Sequence, residues 1–230
     1  MLNPPSMDAL IVFAKPPEPG AVKTRLTALL TAEEAAALYA AFLQDALHQY
    51  AALGVAVRLY LAPSGAALPS GMVPPGVSVH RQQGDGLGAR MQHAFVETFA
   101  AGHPRAVVIG TDHPTLPSAF IRQAFAALAE PLAVCLGPSD DGGYYLLGMN
   151  DFFPQLFEGM AYSHGAVFEQ TLSRAAGAGA RLTVLPPWYD VDTPAALRRL
   201  AAELEAEGAG APHTRATVHA LRRRYPSLSG

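Results

Sequence analysis

Short apolar runs alternate with longer alanine-rich stretches along the chain. ALIVFA at 9–14, VAVRLYLA at 55–62, VSVH at 77–80, AVVIG at 106–110, LAVCLG at 132–137, YYLLGM at 144–149 and RLTVL at 181–185 read as strands. Between them the spacing of apolar positions predicts helices over about 32–53, 88–101, 117–128, 165–176, 194–207 and 214–224. The strands are apolar throughout rather than at every second residue, so both faces of their sheet must be covered. That pattern predicts an α/β fold, a three-layer α/β/α sandwich around a mostly parallel sheet. YYLLGM follows a Gly-rich turn and can instead run antiparallel, which would make the sheet mixed. The first helix has its start written into it: Thr31 is a candidate N-cap, Glu34 completes a capping box, and Leu38, Phe42 and Leu47 mark a buried stripe. This helix reads as structural.

Length and composition bound the picture. At 230 residues the chain suits a single domain over 1–230, with a core of about 9–207 and a C-terminal helix over 214–224. EGAGAPH at 207–213 is linker-like, and no repeat is visible. Half the residues are hydrophobic and 15% are charged, which excludes a disordered chain, while 21 Gly and 20 Pro promise shaped loops. A net charge of −3 offers no excess of positive charge for a nucleic-acid backbone. The lone Cys135, inside an apolar run, reads as a core residue and suits a reducing compartment. The opening MLNPPSMD has no basic n-region, and no apolar run is long enough to span a bilayer. The expectation is a soluble, cytoplasmic protein with no membrane partner; its oligomeric state is not readable.

In a parallel sheet, ligands bind beyond the carboxyl ends of the strands near the topological switch point, so polar residues directly after strands hold the candidate chemistry. The first strand runs into KPPEPGAVKTRL. Gly20 and three prolines shape the turn, and Lys15, Lys23 and Arg25 place three cations around it, which suits a polyphosphate, with amides of a helix start near Thr24 as further donors. Neither a Walker A nor a GxGxxG spacing is present. QQGDGLGARM at 82–91 carries Asp85, Gly86 and Arg90 in a turn entering a helix. It reads equally as a ligand-approach loop or as a plain capped turn.

VVIGTDHPTLP delivers Asp112 to the sheet edge, a natural ligand for Mg²⁺ or Mn²⁺, which take one or two carboxylates together with phosphate oxygens. The partner carboxylate is sought in WYDVDTP, from Asp190 or Asp192, although Asp192 or Thr193 can also cap the helix that follows. His113 reads first as a hydrogen-bonding neighbour, with a ligand or base role as the alternative. In GPSDDGGYYLLG, Asp140 and Asp141 precede paired glycines, Gly142 and Gly143. This is a candidate acceptor site with Asp141 as general base, or a hairpin turn.

In order and spacing, FAKPPEPGAVKTRL, TAEEAAALYAAFLQD, GDGLGARM, IGTDHPTLP, SDDGGYYLLG and WYDVDTPAAL resemble a family of bacterial transferases encoded beside radical-SAM and selenium or arsenosugar genes. The likeness covers about residues 9–200. The family is described as glycosyltransferases of the nucleotide-diphospho-sugar transferase superfamily, with the GT-A, Rossmann-like fold. The opening is also similar to guanylyltransferases of deazaflavin-cofactor biosynthesis, whose Lys-Ser-Arg-Leu stands where this chain has Lys23-Thr24-Arg25-Leu26. The resemblance implies that Asp112 is the first metal ligand and Asp192, in Asp-x-Asp-Thr-Pro, the second. One departure is that Thr111-Asp112-His113 replaces the usual Asp-x-Asp after the central strand.

Together these readings lead to a Mg²⁺- or Mn²⁺-dependent glycosyltransferase taking a sugar from a nucleotide sugar to a small acceptor. Lys23 and Arg25 would act on the departing diphosphate and Asp141 on the acceptor. The alternative is a nucleotidyltransferase that moves a nucleoside monophosphate from a triphosphate and releases pyrophosphate. A nucleotide-binding regulator without turnover is a third reading.

Overall fold

The computed structural model describes residues 7–62, 67–162, 164–206 and 210–228. The first six residues and the glycine-rich part of 207–213 therefore lie outside the described residues. The described strands form one sheet in the order β3-β2-β1-β4-β6-β5-β7: β1 (Ala9–Ala14), β2 (Ala56–Leu61), β3 (Ser78–Arg81), β4 (Ala106–Ile109), β5 (Ala133–Pro138), β6 (Tyr144–Met149) and β7 (Arg181–Val184). β6 pairs antiparallel with both β4 and β5, and the other pairings are parallel. The Gly-rich turn at 139–143 is the reason for the reversal, because a short connection can join only antiparallel neighbours.

The helices are α1 (Ala32–Ala51), α2 (Gly86–Ala100), α3 (Ser118–Ala127), α4 (Val167–Gly177), α5 (Pro194–Glu203) and α6 (Pro212–Arg224). Strand side chains alternate between two cores. Leu10, Val12, Leu59 and Ile109 pack with Leu43 and Leu47 of α1 and Ile121 of α3, while Ile11, Val108, Leu136 and Leu147 pack with Phe95 of α2 and Ala175 of α4. Both faces of the central strands are buried, as their unbroken apolar runs require, whereas the edge strands β3 and β7 are largely exposed. A third cluster joins the outer side of α1 to α5 and α6 through Leu38, Phe42, Leu197, Leu200 and Val218. Cys135 lies in the first core, and burial pushes its thiol pKa up to about 12.

The capping box of α1 is present, with Thr31 Oγ1 accepting from Glu34 N at 3.2 Å and Glu34 Oε2 accepting from Thr31 N at 2.9 Å. The chain moves outward from β1 to β2 and β3, then returns to β4 on β1's other side. A crevice therefore opens beyond the carboxyl ends of β1 and β4.

Candidate functional site

A cavity of about 610 Å³ lies in that crevice. Its walls come from the end of β1 with the loop after it, the ends of β2 and β4, the start of β6, the first turns of α2 and the loop before α5. Lys15, Lys23, Arg25, Arg90, Asp112, His113, Asp190 and Asp192 all line it, so residues far apart in sequence meet at one sheet edge.

The centre of the site is a cation between two carboxylates. Lys23 Nζ stands 2.5 Å from Asp112 Oδ1 and 2.7 Å from Asp192 Oδ1. Its side chain is 2% exposed, whereas 43% of the Asp112 side chain and 44% of the Asp192 side chain remain open. The rings of Tyr39 and Phe42 flank the ammonium, with centroids at 5.8 and 5.5 Å. Lys23 also has φ 48°, in the left-handed region that non-glycine residues rarely occupy, and the surrounding contacts are what hold it there. Burial by itself would lower the Lys23 pKa, but the two carboxylates outweigh it and raise the value above 10.5. For Asp112, burial pushes upward and the Lys23 ammonium pulls harder, holding the carboxyl below 3.8.

The supporting contacts explain the placement. Val191 N donates to the carbonyl of Asp112 at 2.8 Å, which sets Asp190 and Asp192 beside the β4 loop. Thr193, not Asp192, caps α5: its side chain accepts from Ala196 N at 3.2 Å and leaves the Asp192 carboxylate to the cavity. Tyr39 OH accepts from Lys15 N at 3.0 Å and shares a hydrogen bond with Thr111 Oγ1 at 3.1 Å, tying the end of β1 to the end of β4. Burial, aided by the nearby Asp112 charge, lifts the Tyr39 pKa to about 12, so its hydroxyl stays protonated. Helix α1, read from sequence as structural only, thus contributes Tyr39 to a cavity wall. The signal in the sequence was a hydroxyl-bearing aromatic beside the apolar stripe. His113 is 1% exposed, with Nδ1 3.4 Å from Asp190 Oδ1, in agreement with its reading as a hydrogen-bonding neighbour. Its Nε2 is buried and has no partner among the described residues.

Other candidates fall elsewhere. Asp140, Asp141, Gly142 and Gly143 do not line the cavity. Asp141 Oδ1 accepts from Gly143 N at 3.0 Å and from the Ser139 hydroxyl, so the carboxylate closes its own turn. Asp140 pairs with Arg199 at 2.8 Å. Gly142 has φ +85°, and a Cβ there would lie 2.2 Å from the Gly165 carbonyl oxygen, so its glycine serves loop packing against the segment before α4. The segment is thus a hydrogen-bonded turn between β5 and β6 that lies outside the lining of this cavity.

Asp85 and Gly86 also lie outside the lining; Asp85 holds the N-cap position of α2 without a side-chain cap bond. Gly20, at φ +79°, shapes the loop without facing the cavity. The helix start expected near Thr24 is a 3₁₀ turn over Thr24–Ala28, too short to build a useful dipole. Gln82 was not singled out from sequence. Buried at the end of β3, it donates from Nε2 to the carbonyls of Tyr60 at 3.0 Å and Ala14 at 3.4 Å, and it lines the cavity.

The donor set fits a hard divalent cation brought in with phosphate. Two half-open carboxylates converge, and Mg²⁺ or Mn²⁺ would complete its shell from phosphate oxygens and water. Among the described residues, no group of three or more His, Cys, Asp and Glu could hold a metal by protein ligands alone. No described helix is long and apolar enough to cross a membrane.

Residues 43–164 match the family described as "uncharacterized protein conserved in bacteria" (DUF2064). The chain is similar to a crystal structure from Desulfovibrio desulfuricans G20, provisionally described as a nucleotide-diphospho-sugar transferase. Identity is 32%, 97% of each chain is covered, and the TM-score is 0.88. At 10% identity, 4-diphosphocytidyl-2C-methyl-D-erythritol synthase matches over 82% of this chain and 93% of its own, with TM-score 0.54. CMP:2-keto-3-deoxy-manno-octonic acid synthetase, complexed with CTP, matches at 12% identity over 85% and 97%, with TM-score 0.52. These last two show a shared fold. No curated protein matches the chain.

Proposed function

The chain belongs to the bacterial DUF2064 family, and we propose that it is a transferase acting on a nucleotide whose diphosphate carries a sugar, passing the sugar to a small acceptor. The observation that carries this reading is the division of charge within one cavity. Lys15, Arg25 and Arg90 line it without a carboxylate partner among the described residues, while Asp112 and Asp192 converge beside them. Cations without an ion pair, next to carboxylates that each keep an open face beyond their Lys23 contact, suit a metal-bound diphosphate. The Desulfovibrio protein's description supports the donor class, and the resemblance to glycosyltransferases encoded beside radical-SAM genes supports the reaction.

Asp112 and Asp192 are the residues that would hold Mg²⁺ or Mn²⁺. When bound, such an ion offsets the charge that gathers on a departing diphosphate. Lys15 and Arg25 bind phosphate oxygens, and their charge stabilises the same group as the anomeric bond breaks. Arg90, whose Nε is held by the Gly84 carbonyl at 3.1 Å, presents its terminal nitrogens from α2. Tyr39 keeps the β1 and β4 loops in register. Nucleotidyl transfer from a triphosphate is the second reading, favoured by the number of cations around the first loop.

Incubating the protein with Mn²⁺ and panels of nucleotide sugars and nucleoside triphosphates separates these readings. Release of nucleoside diphosphate is expected. Pyrophosphate instead would establish nucleotidyl transfer, and neither product, even with small hydroxylated or phosphorylated acceptors added, would overturn transferase activity.

A further inference from the structure

Lys23 occupies the ground that a cation shared by Asp112 and Asp192 would occupy. Its Nζ takes one oxygen of each carboxylate at 2.5 and 2.7 Å. The ammonium is walled off from solvent by the Tyr39 and Phe42 rings, and its backbone sits in the left-handed region. A lysine that served only as a mobile phosphate contact would need none of this enclosure. The carboxylates are already neutralised in part, so a free divalent ion gains less by approaching them and meets a like charge a few ångström away. Phosphates change the balance. They offer the ammonium a new partner within the same cavity, which Lys15 and Arg25 also line, and their oxygens complete the shell of the incoming ion.

We infer that Lys23 is an internal counter-ion that closes the Asp112–Asp192 pair to free divalent cations, so that metal enters only together with the phosphates of a nucleotide. This inference rests on the reading of the cavity as a metal and phosphate site. It adds an order of events: the protein alone does not take up metal, and metal and phosphate bind as one unit.

Equilibrium dialysis of the full chain against Mn²⁺ tests it, with and without inorganic pyrophosphate as the phosphate probe. Wild type should retain Mn²⁺ only when pyrophosphate is present. Lys23→Met, and Lys23→Gln as a second uncharged variant, should retain Mn²⁺ alone with an affinity about tenfold or more above wild type, as expected for removing a unit charge from a partly screened site. Lys23→Arg should behave like wild type. Melting temperature gives a readout independent of activity: Mn²⁺ should raise it in the uncharged variants and leave it unchanged in wild type. If wild type binds Mn²⁺ alone as tightly as Lys23→Met does, the counter-ion role is wrong while the metal site stands. If neither uncharged variant retains Mn²⁺, the assignment of Asp112 and Asp192 to metal falls as well. Retention by the variants, with wild type still empty in pyrophosphate, would overturn the coupling to phosphate. The product assay above is independent of all three outcomes.

Discussion

Asp112, Asp192 and Lys23 form a coupled unit in which one ammonium is shared by two carboxylates. Asp112→Asn or Asp192→Asn alone leaves the ammonium one carboxylate, so the fold should persist while Mn²⁺-dependent nucleotide binding, read by calorimetry, is lost. Replacing both carboxylates strands a buried charge. That double variant should lose about 3–5 kcal/mol in urea denaturation. The pH dependence has a definite sign. Asp112 is depressed below 3.8, so its contribution to stability is present above that value and lost as pH falls through the folded pKa. Lys23 is raised above 10.5, so its contribution is present below that value and lost as pH rises beyond it. In metal-free buffer, the difference in melting temperature between wild type and Lys23→Met should be flat between these limits and shrink in acid. The Asp112 and Lys23 positions were legible as polar residues following strands. Their contact was not, because 89 residues of chain separate them and only the β1–β4 pairing brings them together.

Elements in this protein are capped both locally and from a distance. The Thr31–Glu34 box of α1 is local and readable. The start of α6 is held instead by Asp45 of α1, which accepts from His213 N at 3.1 Å and Thr214 N at 2.7 Å. No local pattern announces a cap 168 residues upstream. Asp45→Ala should cost about 1–2 kcal/mol, as loss of a helix cap does, with hydrogen exchange accelerating first in α6. The hairpin between β5 and β6 offers a sharper test of turn against site. Gly20→Ala introduces a left-handed alanine into open space and should cost about 1–2 kcal/mol. Gly142→Ala adds a collision with the Gly165 backbone and should cost about 3 kcal/mol. Equal melting temperatures for these two variants would show that the 139–143 loop is not packed as described.

For the whole molecule, the sheet order places one cavity across β3, β2, β1, β4 and β6, so ligand binding should draw on several elements at once. Arg25→Ala from the first loop and Arg90→Ala from α2 should each weaken nucleotide binding by about tenfold, more at low than at high salt, because both losses are charge-assisted contacts. An effect confined to one of them would shrink the site to that side. The sequence by itself determined the elements and layers: strand and helix periodicity, the continuous apolar strands and the Gly-rich turn before β6 are local properties that burial on both faces requires. It also determined which loops carry charge, since charged residues directly after strands cannot enter the core. Only the tertiary structure decided which of those charges meet. Asp141 satisfies itself within its own turn and Asp140 pairs with a surface arginine, whereas Asp112, Asp192 and Lys23 converge, because a carboxylate's partners are set by distance in space, and in this fold that distance is set by strand order.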